Sequence, residues 1–155
     1  MSKHEKSTAS PLEAHLGFWL RFVSNHVSAR FQQLLEHRDI TVSEWVALRT
    51  LWAQPHTGHA ELIRALGMTK GAASKVVSRL EEKGLAQRAT AAQGGRTQAV
   101  VLTQAGRALV PQLAKLADAN DEHFFGHLPA RDRQALMDAM QDLVKHHGLH
   151  KIPTA

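Results

Sequence analysis

Glycine punctuation limits what residues 60–106 can fold into. The stretch reads AELIRALGMTKGAASKVVSRLEEKGLAQRATAAQGGRTQAVVLTQAG. Leu62, Ile63 and Leu66 give one apolar side to a short helix over Glu61–Leu66. Gly67-Met68 then makes a tight turn, and the Thr69 hydroxyl can cap a second helix over Lys70–Lys83. In that helix Ala73, Val76, Val77 and Leu80 are spaced to face inward. Lys70, Gly71, Ser74, Lys75, Ser78 and Arg79 face outward, all small or basic. Gly84 is placed to stop the helix as its C′ residue. Leu85–Ala92 and Thr97–Thr103 read as two strands around Gln93-Gly94-Gly95-Arg96, where paired glycines supply the positive φ angles of a hairpin turn. Two short helices, a tight turn and a glycine-tipped hairpin make the layout of a winged helix-turn-helix.

The flanking segments are helical in pattern. Residues 1–10 read as a polar tail. From Leu12 to His37, Leu12, Leu16, Trp19, Leu20, Val23, Val27, Phe31, Leu34 and Leu35 keep helical spacing, and Phe18 and Phe22 form a second apolar stripe. One stripe suffices for a helix packed on one core, so two predict burial against a second chain. Thr41 and Glu44 fit a capping box that opens a helix with Trp45, Leu48, Leu51 and Trp52 inward, ended by Pro55. Gly58 falls in the loop beyond. Thr103 caps a further helix bearing Leu109, Leu113, Leu116, Phe124 and Phe125, which Pro111 should bend or delay. Pro129 opens a last helix with Leu136, Met137, Met140, Leu143 and Val144 on one side. The fold class is therefore mainly α with a small β-hairpin wing, one domain over residues 1–155. Residues 41–103 form the winged helix-turn-helix, and residues 12–37 and 104–147 form dimerisation helices.

Charge selects the partner. Residues 60–107 hold eight Lys/Arg (Arg64, Lys70, Lys75, Arg79, Lys83, Arg88, Arg96 and Arg107) against three acids (Glu61, Glu81 and Glu82). The excess equals the formal net charge of the whole chain, +5. A surplus confined to a helix-turn-helix points to a phosphate backbone. The helix after Thr69 fits a major groove, with Thr69, Lys70, Gly71, Ser74, Lys75, Ser78 and Arg79 as its contact residues. Arg88 and Arg96 lie on the wing, where an arginine can enter the minor groove. An ordinary solvated basic face is the plain alternative, and the clustering between a helix-turn and a hairpin weighs against it.

Other classes recede. The chain has no cysteine, which excludes disulfides, thiolate zinc sites and thiol redox sensing. No apolar run nears the roughly 20 residues of a membrane span, and the polar start lacks a secretory core, so the expected address is the cytoplasm. No nucleophile elbow or phosphate-binding glycine loop frames a reaction, and no enzyme or cofactor is expected.

The run TKGAASKVVSRLEEKGL at Thr69–Leu85 and the run R-x-x-x-V-x-L-T-x-x-G at Arg96–Gly106 carry a resemblance. With the helix order, they make Leu12 to about His147 resemble the MarR (multiple antibiotic resistance regulator) family. The resemblance implies a triangular homodimer on a pseudopalindromic double-stranded operator, a repressor released by a small phenolic or lipophilic ligand. It also implies an effector cavity between the DNA module and the dimer helices, with His15, Trp19, Trp45, Arg49 and Trp52 as lining residues. One departure is Gly94, where the family commonly carries an Asp that orients the arginine matching Arg96.

Eleven histidines raise a second reading, a metal-responsive regulator or a histidine-rich helical interaction protein. His123 and His127 share a helix face, and His146, His147 and His150 cluster. A site would need further ligands, from Asp121, Glu122 or a partner chain, and solvated helix histidines are the commoner outcome. His15, His26 and His37 fall eleven residues apart, about 16 Å between neighbours on a helix, too far to share an ion. No metal site is assigned.

Overall fold

A computed structural model of the chain describes residues 9–55, 57–90 and 98–150. Their elements run α1 (Leu16–Glu36), α2 (Val42–Ala53), β1 (Thr57–Gly58), α3 (His59–Leu66), α4 (Lys70–Glu82), β2 (Ala86–Thr90), β3 (Gln98–Leu102), α5 (Gln104–Phe125) and α6 (Ala130–His146). The fold is mainly helical with one small antiparallel sheet, as the sequence predicts.

Local chemistry sets most boundaries. At α2 the Glu44 amide donates to the Thr41 hydroxyl (3.1 Å) and the Glu44 carboxylate accepts from the Thr41 amide (3.3 Å), a complete capping box. Thr69 caps α4 through the Ala72 amide (3.2 Å), and Thr103 caps α5 through the Gly106 amide (3.1 Å). Gly84, at φ +71°, ends α4 in a Schellman motif: Leu85 N–H donates to Leu80 C=O and Gly84 N–H to Glu81 C=O.

Several expectations need correction. The first helix does not begin at Leu12. Leu12–Ala14 form a 3₁₀ turn, His15 is extended, and α1 starts at Leu16. The Trp19 indole N–H donates to the Glu13 carbonyl (2.8 Å), occupying an acceptor that a continuous helix would have used. Gly58 is not in a loop: β1 pairs with β3 (Thr57 opposite Val100, Gly58 opposite Ala99), giving the sheet order β1-β3-β2. Trp52 does not face inward; it is 42% exposed, whereas Leu48 and Leu51 are buried. Pro111 does not delay α5, which runs unbroken from Gln104.

The core gathers under the sheet, where Leu48, Leu62, Leu66, Val77, Leu80, Val100, Val110 and Leu113 are fully buried. The first and last helices lie largely outside it. Only Leu35 of α1 is buried, and no residue of α6 is. Leu16, Trp19, Leu20, Phe22 and Val23 on α1, and Leu136, Met137, Met140, Leu143 and Val144 on α6, are all exposed. Asn120 of α5 ties α1 to α5, accepting from Arg30 Nη1 (2.9 Å) and donating to the Val27 carbonyl (3.1 Å).

Candidate nucleic-acid interface

Helix α4 sits on the core through Ala73, Val76, Val77 and Leu80, the set its spacing predicts. Its opposite side carries Lys70, Gly71, Lys75 and Arg79, all exposed, with exposed Thr69 at its N-terminus. Nothing lies within 4 Å of where a Cβ on Gly71 would be, so the backbone there is open to a close-approaching partner. The helix N-terminus itself favours anions.

Ser74, Ser78 and Arg88 do not present themselves as the sequence reading has them. Both serines are half-buried. The Arg88 guanidinium turns off the strand onto α4 and pairs with the Glu81 carboxylate. Its Nη2 donates to Ser74 O (3.2 Å), Ser74 Oγ (3.1 Å) and Ser78 Oγ (3.3 Å). The cause is geometric: Ser74, Ser78 and Glu81 fall four and three residues apart on one helix face, and β2 runs back past that face. Sequence alone misses this pairing because it counts Arg88 as a wing cation.

Lys83 is also spent within the fold. It pairs with the Glu44 carboxylate at 2.7 Å and lies 3.8 Å from the Asp39 carboxylate. Glu44 is buried, so one carboxylate both caps α2 and anchors the end of α4. Burial, and then the neighbouring Arg88 and Lys70 cations, hold the His59 imidazole below its ordinary pKa. Its Nδ1 is buried with no hydrogen-bond partner among the described residues. Arg96 and Gly94 lie outside the described residues.

Gly106 closes the module from beneath. A Cβ there would overlap the Leu85 carbonyl oxygen and stand 3.1 Å from its carbon and 3.3 Å from Leu102 Cδ2. The same carbonyl accepts from the Thr103 amide (3.0 Å), while Thr103 Oγ1 donates to Gly84 O (2.6 Å). The start of α5 is thereby fixed to the turn that ends α4.

The five cavity candidates are not brought together within one chain. Trp45 lines a cleft among α1, α2 and α5 with Val27, Ser28, Phe31, Ala117, Asn120 and Asp121. Its ring meets Phe31 edge-on at 5.9 Å, and the Arg49 guanidinium lies 5.6 Å from its centre. Trp52 lines a separate cleft with Leu51, Pro55, Val101, Leu102 and Arg107. His15 and Trp19 line neither and stand exposed near the start of α1. Among the described residues no three His, Asp or Glu side chains are grouped to hold a metal ion, and no helix is long and apolar enough to cross a membrane.

Comparison with known proteins joins this geometry to a family. The MarR family model matches residues 40–98, the span from the loop before α2 to the first residue of β3. Transcriptional regulator HosA of Escherichia coli O127:H6 is 27% identical over 125 residues, covering 81% of this chain and 91% of HosA. The HTH-type transcriptional repressor Rv2887 of Mycobacterium tuberculosis is 28% identical over 131 residues, covering 84% and 94%. Over residues 40–98 the chain matches the MarR family. The chain thus carries a MarR-type transcription-regulator fold with a DNA-binding winged helix, and these curated relatives are transcription regulators. Its fold also matches the solved structure of BpsR from Bordetella bronchiseptica, with a TM-score of 0.74 at 24% identity, covering 87% of this chain and 96% of that one. That structure concerns regulation of DNA binding by 6-hydroxynicotinic acid.

Proposed function

We propose that the chain is a single-domain, homodimeric cytoplasmic repressor that places α4 of each protomer in successive major grooves of a pseudopalindromic operator. The observation that carries the reading is α4 itself. It is capped by Thr69 and seated on the core by one face, and it offers Lys70, Gly71, Lys75 and Arg79 on the other. These residues and Thr69 make the major-groove contacts, and Arg96 serves the wing. The dimer is supported by the exposed apolar stripes of α1 and α6, which one chain leaves uncovered.

Release by a small organic ligand is supported by two features. BpsR, of the same fold, has its DNA binding regulated by a small aromatic acid. This chain holds an aromatic cleft with Phe31 and Trp45 where α1 and α5 meet the DNA module. A ligand there would act by preferring the arrangement whose recognition helices are wrongly spaced, and a 100-fold preference is worth about 2.7 kcal/mol. His15, Trp19 and Trp52 join such a cavity only if the partner's helices bring them there.

The test begins with a duplex that the purified chain selects from a random-sequence pool. Binding should weaken linearly in log salt, and Lys70→Ala/Lys75→Ala should flatten the slope by about 0.9 for each phosphate no longer neutralised. Unchanged binding by that variant, with the dimer intact, would remove α4 from the interface.

A further inference from the structure

Helix α4 rests on the core through small residues, Ala73, Val76 and Val77, followed by Leu80. Small side chains offer shallow ridges, so this stripe constrains the roll of α4 less than a stripe of large ones would. A further constraint comes from one side chain. Arg88, on β2, spans α4 from Ser74 to Glu81, seven steps or about 10 Å of helix at 1.5 Å per residue. It reaches Ser74 at one end and Glu81 at the other, and its own amide points at the second Glu81 oxygen (3.5 Å). The Arg88 and Glu81 side chains are 25% and 33% exposed, so the pair is partly withdrawn from solvent. Charge-assisted bonds of this kind are about twice as strong as neutral ones.

We infer that Arg88, Glu81, Ser74 and Ser78 form a clamp that fixes the roll of α4 against the sheet, with Arg88 a positioning residue rather than a phosphate contact. The inference rests on the DNA-reading role of α4. Three features of the structure carry it. The guanidinium already has a carboxylate partner, so moving to a phosphate would strand Glu81 beside a polyanion. Its Nη2 serves two hydroxyls and a carbonyl of α4 while Nη1 holds Glu81, a spread that one compact ammonium cannot reproduce. Arg88 lies opposite Val100 in the β2–β3 ladder, so the clamp joins the reading helix to the hairpin strands and not to a loose end. A reading helix must hold its side chains to within about 0.5 Å, and a helix free to roll cannot.

The two roles for Arg88 predict opposite signs at Glu81. If Arg88 contacts DNA, Glu81→Gln frees a cation and removes an acid, and binding tightens. If Arg88 is a clamp, the same change loosens α4 and binding weakens despite the removal of an acid. The probe is the duplex selected by the wild-type chain, titrated between about 50 and 200 mM salt. Thermal melts first fix a temperature at which every variant is fully folded, so that reduced stability alone moves nothing. Glu81→Gln and Arg88→Gln should each weaken binding by about tenfold, and the double variant by little more than either alone. All three should keep the wild-type salt slope, while Lys75→Ala lowers it. Equal or tighter binding by Glu81→Gln, or a slope lowered by Arg88→Gln as by Lys75→Ala, overturns the clamp. Should Arg88→Gln not fold, the sign at Glu81→Gln decides alone. If the wild-type chain selects no duplex, the DNA-reading role fails and the clamp with it; selection followed by the wrong sign or slope removes the clamp only.

Discussion

Replacing Gly106 by alanine tests whether the start of α5 is joined to the end of α4 through the Leu85 carbonyl. The added methyl would overlap that carbonyl oxygen and press on Leu102 Cδ2. Neither neighbour can yield cheaply. The Leu85 carbonyl is backbone, bonded to the Thr103 amide, and it follows directly on Gly84 with its fixed positive φ. Ordinary contact requires a movement on the order of 1 Å, against carbon separations that are optimal near roughly 3.5–4.0 Å. Overpacking of this kind costs about 1–3 kcal/mol. Breaking the Thr103–Leu85 hydrogen bond with its acceptor left buried adds about 1–3 kcal/mol. Alanine returns about 0.5–1 kcal/mol through its better helix propensity. The net destabilisation is about 1–5.5 kcal/mol. At about 2–4 °C per kcal/mol for a chain of this size, the melting temperature should fall by about 10 °C, within a range of about 2–22 °C. Differential scanning calorimetry at fixed protein concentration measures it, since a dimer's melting point depends on concentration. A Gly106→Ala chain melting within about 2 °C of wild type would show that α5 can slide off the turn freely and that the two helices are not joined there.

The same substitution at Gly71 should behave in the reverse way. With open space around it, Gly71→Ala should leave the fold as stable or gain up to about 1 kcal/mol, yet lose about 30-fold or more in duplex affinity if a methyl at each half-site costs about 1 kcal/mol. Wild-type affinity by fluorescence anisotropy would refute close backbone approach. Met140→Glu/Leu143→Glu places two carboxylates on the exposed apolar stripe of α6. Light scattering should then give the mass of one chain, with helix content retained; a persistent dimer would put the interface elsewhere. His59 titrates below its ordinary value of 6.5 in the folded chain, so the unfolded chain binds more protons once the pH drops past that value. Its contribution to stability is therefore complete above pH 6.5 and is lost as the pH falls through the lowered folded value. The difference between wild type and His59→Gln should stay constant above pH 6.5, and the wild type should lose stability relative to the variant as the pH falls below it. Parallel curves would mean the imidazole is not held neutral.

Most of the fold is legible in the sequence because most of its determinants are local. Thr41 with Glu44, Thr69, Thr103 and Gly84 act within a few residues of themselves, and each does in the structure what its spacing implies. What escapes depends on chain segments meeting from afar. Strand β1 is two residues long and exists only because β3, far along the chain, offers Val100 and Ala99 as partners. Trp52 has the spacing of a core residue, but it falls at the far end of α2, past the edge of the core beside Pro55. At the break before Leu16 a local contact escapes as well, the Trp19 indole N–H taking the Glu13 carbonyl six residues back. On α1 only Leu35 is buried, and Leu16, Trp19, Leu20, Phe22 and Val23 stand exposed.

The candidate interface is less legible than the fold for a related reason. A sequence gives the number of cations but not which are already paired, and here the difference changes the chemistry. Lys83 and Arg88 belong to the basic run, yet one is held by Glu44 from 39 residues away and the other by Glu81 across the Gly84 turn. Among the described residues on α4, exposed positive charge remains at Lys70, Lys75 and Arg79, and none of these forms an ion pair there. The basic run thus divides by function. Exposed cations on one face of α4 are free to release counterions from a duplex, and paired cations on its flanks hold that face at a fixed angle to the sheet and to α2. Among these α4 and flanking cations, counterion release should therefore follow the first group, while operator affinity follows both.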